Sequence, residues 1–160
     1  MMGVGKSTVG KSLSLRLNVG FRDIDTIIEK KNSLSIKEIF EKKGEEFFRK
    51  IEEKETLDCI KEQNLIIALG GGAFMNKNIR ENVKKNCISI WLDLSIKELF
   101  NRIRLNKRRP LLNNTSSEKD VEKLYEKRKQ SYSFADYKIE CNSKKESEIV
   151  QEILEIYENI

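Results

Sequence analysis

The chain opens MMGVGKSTVG (residues 1–10), and the reading of these ten residues decides the fold. Gly5-Lys6-Ser7 is the closing half of the phosphate-binding pattern G-x-x-x-x-G-K-[ST], whose first glycine would fall one place before Met1. Such a loop needs glycine so that backbone N–H groups can close on phosphate oxygens, and the helix that follows adds positive potential at its N-terminus. Val9, Leu13 and Leu17 recur at helical spacing, so the loop feeds a helix from Lys6 to Leu17. In that setting Lys6 reaches the β- and γ-phosphates of a nucleotide and Ser7 ligates Mg²⁺. An ordinary capped helix start is the competing reading, and the residues downstream decide between the two.

Phe21-Arg22-Asp23-Ile24-Asp25 reads as a short strand ending in acids. Its i, i+2 spacing puts Asp23 and Asp25 on one face at the carboxyl end, where parallel sheets hold their ligands. Two acids there suit a metal and a hydroxyl to be oriented; a solvated turn is the alternative. Ser35-Ile36-Lys37-Glu38 is a capping box opening a helix through Phe40, Gly44 punctuates it, and a second amphipathic helix runs to about Gln63. Leu65 to Leu69 is a continuous apolar run, hence a buried strand, and it ends in Gly70-Gly71-Gly72. Three glycines bury nothing and cost backbone entropy, so close approach of the backbone to a ligand explains them better than turn-making.

A helix from about Asn78 to Lys85 leads to a second apolar strand, Ile88 to Leu92, and Ser95-Ile96-Lys97-Glu98 repeats the capping box. Residues 106–117, NKRRPLLNNTSS, hold the only proline, Pro110, and no periodicity, which predicts a mobile loop. A helix from about Glu118 to Ser131, a strand near Lys138 to Cys141 and a helix from about Glu146 complete the order. Strands alternating with helices predict one α/β domain over residues 1–160, a three-layer arrangement of a parallel sheet with helices on both faces.

Composition narrows the chemistry. There is no histidine, so imidazole serves neither as base nor as metal ligand. Cys59, Cys87 and Cys141 are widely spaced with no C-x-x-C pair, which excludes a zinc site or disulfide framework and fits a reducing cytoplasm. The net charge of +5 arises from lysines alternating with glutamates, as in EKKGEEFFRKIEEKE (41–55) and VEKLYEKRK (121–129). That is how solvated helix faces read, so nucleic acid is not an expected partner. No apolar run is long enough to cross a bilayer, and Gly3 to Ser7 interrupt any secretory signal, so no membrane is expected either. Among the arginines, Arg109 beside Pro110 stands in a loop suited to close over a phosphate. Arg49 follows Phe47-Phe48, and its planar fork suits a substrate carboxylate.

In order, the stretches MGVGKSTVGK (2–11), FRDIDTIIE (21–29), SIKEIFEKKGEEFFRKIE (35–52), LGGGA (69–73), WLDLS (91–95), RRPLL (108–112) and RKQSY (128–132) resemble the shikimate kinase family over nearly the whole chain. The resemblance implies a nucleoside-monophosphate-kinase-like fold of the P-loop kinase type with a five-stranded parallel sheet. It also implies a substrate-binding helical region over about 26–63 and a lid over about 105–117. The implied reaction carries the γ-phosphoryl group of ATP to the 3-hydroxyl of shikimate, with Mg²⁺, in a cytoplasmic monomer. Gly3, Val4, Gly5, Lys6, Ser7 and Thr8 then match the phosphate loop, and Asp23 matches the acid that holds Mg²⁺ through water. Asp25 matches the hydroxyl-binding candidate base, Arg49 and Arg128 the carboxylate clamp, and Gly71 and Gly72 the lining of that pocket. Arg109 matches the lid arginine, Arg102 the arginine packed on adenine, and Asn142 an adenine-side loop; Glu140-Cys141 departs from the usual Asp-Thr there.

Members of the family begin with an apolar strand leading into the first loop glycine, expected mid-sheet between the strand ending at Gly70 and the strand ending at Leu92. The expectation is therefore that Met1 is an internal methionine of a longer product. Losing a central strand leaves two neighbours with unpaired backbone groups, more than the roughly 5–15 kcal/mol of a domain's stability would bear. Two rival readings stand beside this one. Another small-molecule kinase of the same fold, such as a gluconate kinase, would share the loop but lack the FR and RPLL elements. A non-catalytic binding protein would keep only the outline of the fold.

Overall fold

Gly3 and Gly5 adopt φ of 83° and 103°, which glycine takes without the steric cost a Cβ would bring, and the chain turns from them into α1 (Lys6–Leu17). No side chain caps the start of α1, so its first amides face outward from the loop. The computed structural model describes residues 1, 3–104 and 117–160. After α1 come β1 (Gly20–Asp23), α2 (Ile24–Asn32), α3 (Ile36–Ile60), β2 (Leu65–Ala68), a 3₁₀ turn (Ala73–Met75) and α4 (Lys77–Asn86). Then follow β3 (Ile90–Asp93), α5 (Ile96–Arg104), α6 (Glu118–Tyr132), β4 (Tyr137–Glu140) and α7 (Glu146–Glu158).

All strand pairing is parallel. β1 runs beside β2 from Gly20 opposite Leu65 to Asp23 opposite Ala68, and β3 beside β4 from Ile90 opposite Tyr137 to Asp93 opposite Glu140. Among the described residues these are two pairs rather than one continuous sheet, and no ladder joins β2 to β3. The further strand expected between them is not among the described residues. The pairs are nevertheless held by one core. Ile66 and Ile67 of β2 and Ile90, Trp91 and Leu92 of β3 pack with Val9 and Leu13 of α1, Leu99 of α5, Val121 of α6 and Ile153 of α7. Met1 and Val4 are buried in the same core. A second, smaller core lies under α2 and α3, built on Ile24, Ile28, Ile39, Phe48 and Cys59. Ile67 and Leu69 touch both cores, which places the end of β2 between two helical layers.

Two expectations need correction. The strand expected from Phe21 to Asp25 ends at Asp23, whose carboxylate accepts from the Thr26 amide at 3.2 Å and caps α2. Aspartate is among the best N-caps, and Asp25 in the first turn is favoured by the helix dipole, so helix wins over strand here. Asp23 and Asp25 are thus a cap and a first-turn residue, not two residues of one strand. The second correction concerns Ser95. Its hydroxyl accepts from the Glu98 amide at 3.4 Å, but its own amide donates to Asn142 Oδ1 at 2.8 Å, so the box is only half formed. By contrast Ser35 and Glu38 form the full capping box at the start of α3. All three cysteines are free, and burial raises their thiol pKa values, that of Cys141 to about 11, as expected of inert thiols.

Gly44 interrupts α3 with φ 81° and ψ 167°, a region that side-chain-bearing residues pay about 1–3 kcal/mol to enter. A Cβ there would meet nothing within 4 Å, so the cost of a substitution is conformational alone. Gly44→Ala is expected to lower stability by about 1–3 kcal/mol, read in urea as a reduced midpoint at constant m-value. An unchanged midpoint would show that the bend does not depend on glycine.

Candidate active site

The phosphate loop and the start of α2 meet at Asp23. The Ser7 hydroxyl donates to Asp23 Oδ2, while Oδ1 caps α2, so one carboxylate joins the loop helix to the end of β1. Lys6 Nζ donates to the Met1 carbonyl at 2.8 Å, folding the ammonium back over the loop. Ser7 and Thr8 lie exposed on the first turn of α1. Arg102, from α5, donates to the carbonyl of buried Val4 at 3.3 Å, which sets its guanidinium at the edge of the same loop.

A second group of charges lies where α2, α3 and the glycines after β2 converge. A Cβ on Gly70 would stand 2.9 Å from Asp25 Oδ1 and closer still to Glu52 Oε1. A Cβ on Gly72 would stand 2.5 Å from Arg49 Nη1. The sequence leads one to expect a ligand beside these glycines; in the structure the groups that approach Gly70 and Gly72 are the protein's own acids and arginine. Arg49 donates to Glu52 Oε2 at 2.6 Å and to Glu45 Oε1 at 2.9 Å, with its guanidinium carbon 5.1 Å from the Phe48 ring centroid. Glu52 is 2% exposed, and its Oε1 has no hydrogen-bond partner among the described residues.

Arg128 on α6 is 3% exposed and forms no ion pair among the described residues; Nη1 lies 3.7 Å from Met1 Sδ. Beside it, Tyr132 donates its hydroxyl to the Gly71 carbonyl at 2.5 Å.

Burial dominates the acid–base character of this group. It raises the pKa of Asp25, against the nearby positive charge of Lys6, and it raises Glu52, against Arg49. It lowers Arg128, because a guanidinium out of water loses solvation that the nearby Tyr132 hydroxyl and the Glu52 charge only partly offset. Asp25, Arg49, Gly71, Gly72 and Arg128 thus fall into one neighbourhood, and Gly3, Val4, Gly5, Lys6, Ser7, Thr8, Asp23 and Arg102 into another that adjoins it through Lys6 and Asp25. Asn142 is exposed and anchors the start of α5. Arg109 lies outside the described residues.

The sequence reading missed Glu52 altogether. Its signal was available, since it stands three residues after Arg49 on one helix face.

A family model described as Shikimate kinase matches residues 2–158. The chain belongs to the shikimate kinase family. It is 41% identical over 153 residues to the shikimate kinase of a Sulfurihydrogenibium species, covering 96% of this chain and 91% of that one. It is 40% identical over 153 residues to that of Persephonella marina, covering 96% and 92%. Among solved structures, the shikimate kinase of Acinetobacter baumannii in complex with shikimate superposes with a TM-score of 0.94 at 34% identity, covering 99% of this chain and 89% of that one. The Aquifex aeolicus shikimate kinase does so at 0.84 and 36%, covering 99% and 92%. The P-loop kinase fold read from MMGVGKSTVG is therefore the fold of the chain, and the family match sets the gluconate kinase alternative aside.

Because a methyl group on Gly72 would displace the Arg49 guanidinium, Gly72→Ala is expected to raise the KM for shikimate while leaving the KM for ATP unchanged. Steady-state kinetics with each substrate varied in turn checks this. Equal KM values in the variant and the parent would show that Arg49 does not depend on the bare glycine.

Proposed function

We propose the following division of labour for this member of the shikimate kinase family, in the transfer of the ATP γ-phosphoryl group to the 3-hydroxyl of shikimate, giving ADP and shikimate 3-phosphate. The observation that carries it is Arg128: a guanidinium 3% exposed, in no ion pair among the described residues, in the same pocket as Arg49. An unpaired buried charge is destabilising unless a ligand supplies its partner. Arg49 already has Glu52 and Glu45, so the pocket keeps one positive charge in hand for an anionic substrate group. Forked arginines match the geometry of a carboxylate, which is the charged group of shikimate.

Asp25 is the base. From the first turn of α2 it accepts hydrogen bonds from substrate hydroxyls and takes the proton of the attacking one. Its raised pKa brings its basicity toward the working pH, which favours proton abstraction, while Lys6 keeps the ionised form accessible. Gly3, Val4, Gly5, Lys6, Ser7 and Thr8 hold the phosphates on the amides of the loop and of α1, and Lys6 moves from the Met1 carbonyl to the transferring group. The donor set suits Mg²⁺, since the Ser7 hydroxyl and the Asp23 carboxylate are hard oxygen groups already in contact. No cluster of three or more acids and cysteines occurs among the described residues, as fits an ion that takes one or two protein ligands and completes its shell with phosphate and water. Bound there, it supplies charge neutralisation on the phosphates. Arg102 packs on the adenine, Asn142 lies on the adenine side, and Arg109, outside the described residues like nearly all of the lid expected over about 105–117, neutralises the phosphoryl group in flight. The helical region over about 26–63 binds shikimate, and the enzyme acts as a cytoplasmic monomer.

A coupled assay for ADP release tests the assignment. ADP release is expected with shikimate and not with gluconate. Asp25→Asn is expected to lower kcat by about 10²–10⁴-fold, the usual weight of general-base catalysis. The fold is expected to survive. The folded pKa of Asp25 lies above its unfolded value, so its charge opposes folding above that pKa, and removing it leaves the melting temperature at pH 8 unchanged or higher. Near-normal kcat in the folded variant, or ADP release indifferent to shikimate, would overturn the assignment.

A further inference from the structure

The R-x-x-x-Y stretch contains a residue to which the reaction above gives no task. Tyr132 closes α6 one turn after Arg128 and is 5% exposed. Three contacts converge on it. Its hydroxyl donates to the Gly71 carbonyl at 2.5 Å, its ring lies 5.8 Å from that of Trp91 on β3 at a 50° tilt, and its phenol faces the Arg128 guanidinium.

The glycine turn shows why the first contact matters. The Gly70 carbonyl accepts from the Ala73 amide at 3.1 Å, and the Gly72 carbonyl from the Met75 amide at 3.0 Å. Both bonds are local to the turn and leave it free to move as a unit. The bond to the Gly71 carbonyl comes instead from another part of the chain. Asp25 and Glu52 close on Gly70 and Arg49 closes on Gly72, so a shift of the turn displaces all three side chains. The turn has no side chain of its own by which packing could hold it.

We propose that Tyr132 is the positioning residue of the carboxylate clamp: its hydroxyl ties the glycine turn, and with it Arg49, to the helix that carries Arg128. The inference rests on the reading of Arg49 and Arg128 as that clamp. Its ring joins the same unit to β3, so the spacing of the two guanidinium groups is set by one side chain.

Tyr132→Phe keeps the ring and removes the hydroxyl. Losing this hydrogen bond to a half-buried carbonyl costs about 1–3 kcal/mol, and this is expected to appear as a rise of about 5–100-fold in the KM and the calorimetric Kd for shikimate. The KM for ATP and kcat at saturating shikimate are expected to stay near the parent values, a split that a general loss of structure would not give. Trp91 is the only tryptophan, so its emission reports the Tyr132 contact directly. Saturating shikimate is expected to change that emission in the parent enzyme, and to change it less in Tyr132→Phe.

An unchanged KM and Kd for shikimate in the folded variant, or a KM for ATP that rises in parallel, would overturn the inference. Should the variant not fold, Trp91 emission in the parent that does not respond to shikimate would overturn it. Arg128→Met separates the two readings. If it leaves the KM for shikimate unchanged, the clamp itself fails; if it raises that KM and Tyr132→Phe does not, only the role of Tyr132 fails.

Discussion

A guanidinium buried beside a second guanidinium is the constraint on which the rest of the site depends. Arg49 is tolerated because Glu52 and Glu45 take three of its N–H groups. Arg128 is in no ion pair among the described residues, and α6 must hold it in place against its own desolvation. The hold is visible. Asp93 at the end of β3 accepts from the Tyr125 hydroxyl at 2.8 Å and from Lys138 on β4 at 2.9 Å, which fastens the middle of α6 to the sheet. Tyr132 fastens its end, at Gly71. The binding energy of an anionic substrate and the placement of α6 are in this way the same problem.

The acids follow from the same economy. Glu52 neutralises Arg49 and faces Asp25 across Gly70, so two carboxylates share a largely buried pocket whose net charge is set by two arginines and Lys6. With a Cβ at Gly70 or Gly72 these groups could not approach the backbone as they do. The glycines therefore contribute geometry to the chemistry rather than flexibility.

Much of this was legible in the residues themselves, and for identifiable reasons. GVGKST followed by Val9, Leu13 and Leu17 demanded a loop feeding a helix, because no other use of those glycines is as economical. Ser35 and Glu38 announced α3 through a reciprocal cap that forms as the pattern requires. Asp25 was misplaced because period-two reasoning competes poorly with a local cap at a strand end, and Asp23 gives the cap that turns the chain into α2. Glu52 was passed over despite its i, i+3 spacing from Arg49, because EKKGEEFFRKIEEKE reads as a solvated charge pattern and tertiary packing decides which of its glutamates turns inward. Tyr132 was quoted in a motif yet carried no role, since its partner at Gly71 stands 61 residues away.

The central claim is that the arginine pair, Arg128 buried and Arg49 half-buried, recognises a carboxylate. Isothermal titration of the enzyme with shikimate and with its methyl ester tests it most directly, because the ester keeps every hydroxyl and neutralises the carboxylate at the cost of one added methyl group. The account predicts that the ester binds about 10–100-fold more weakly, the weight of a charge-assisted forked contact. Equal affinity for acid and ester would contradict it.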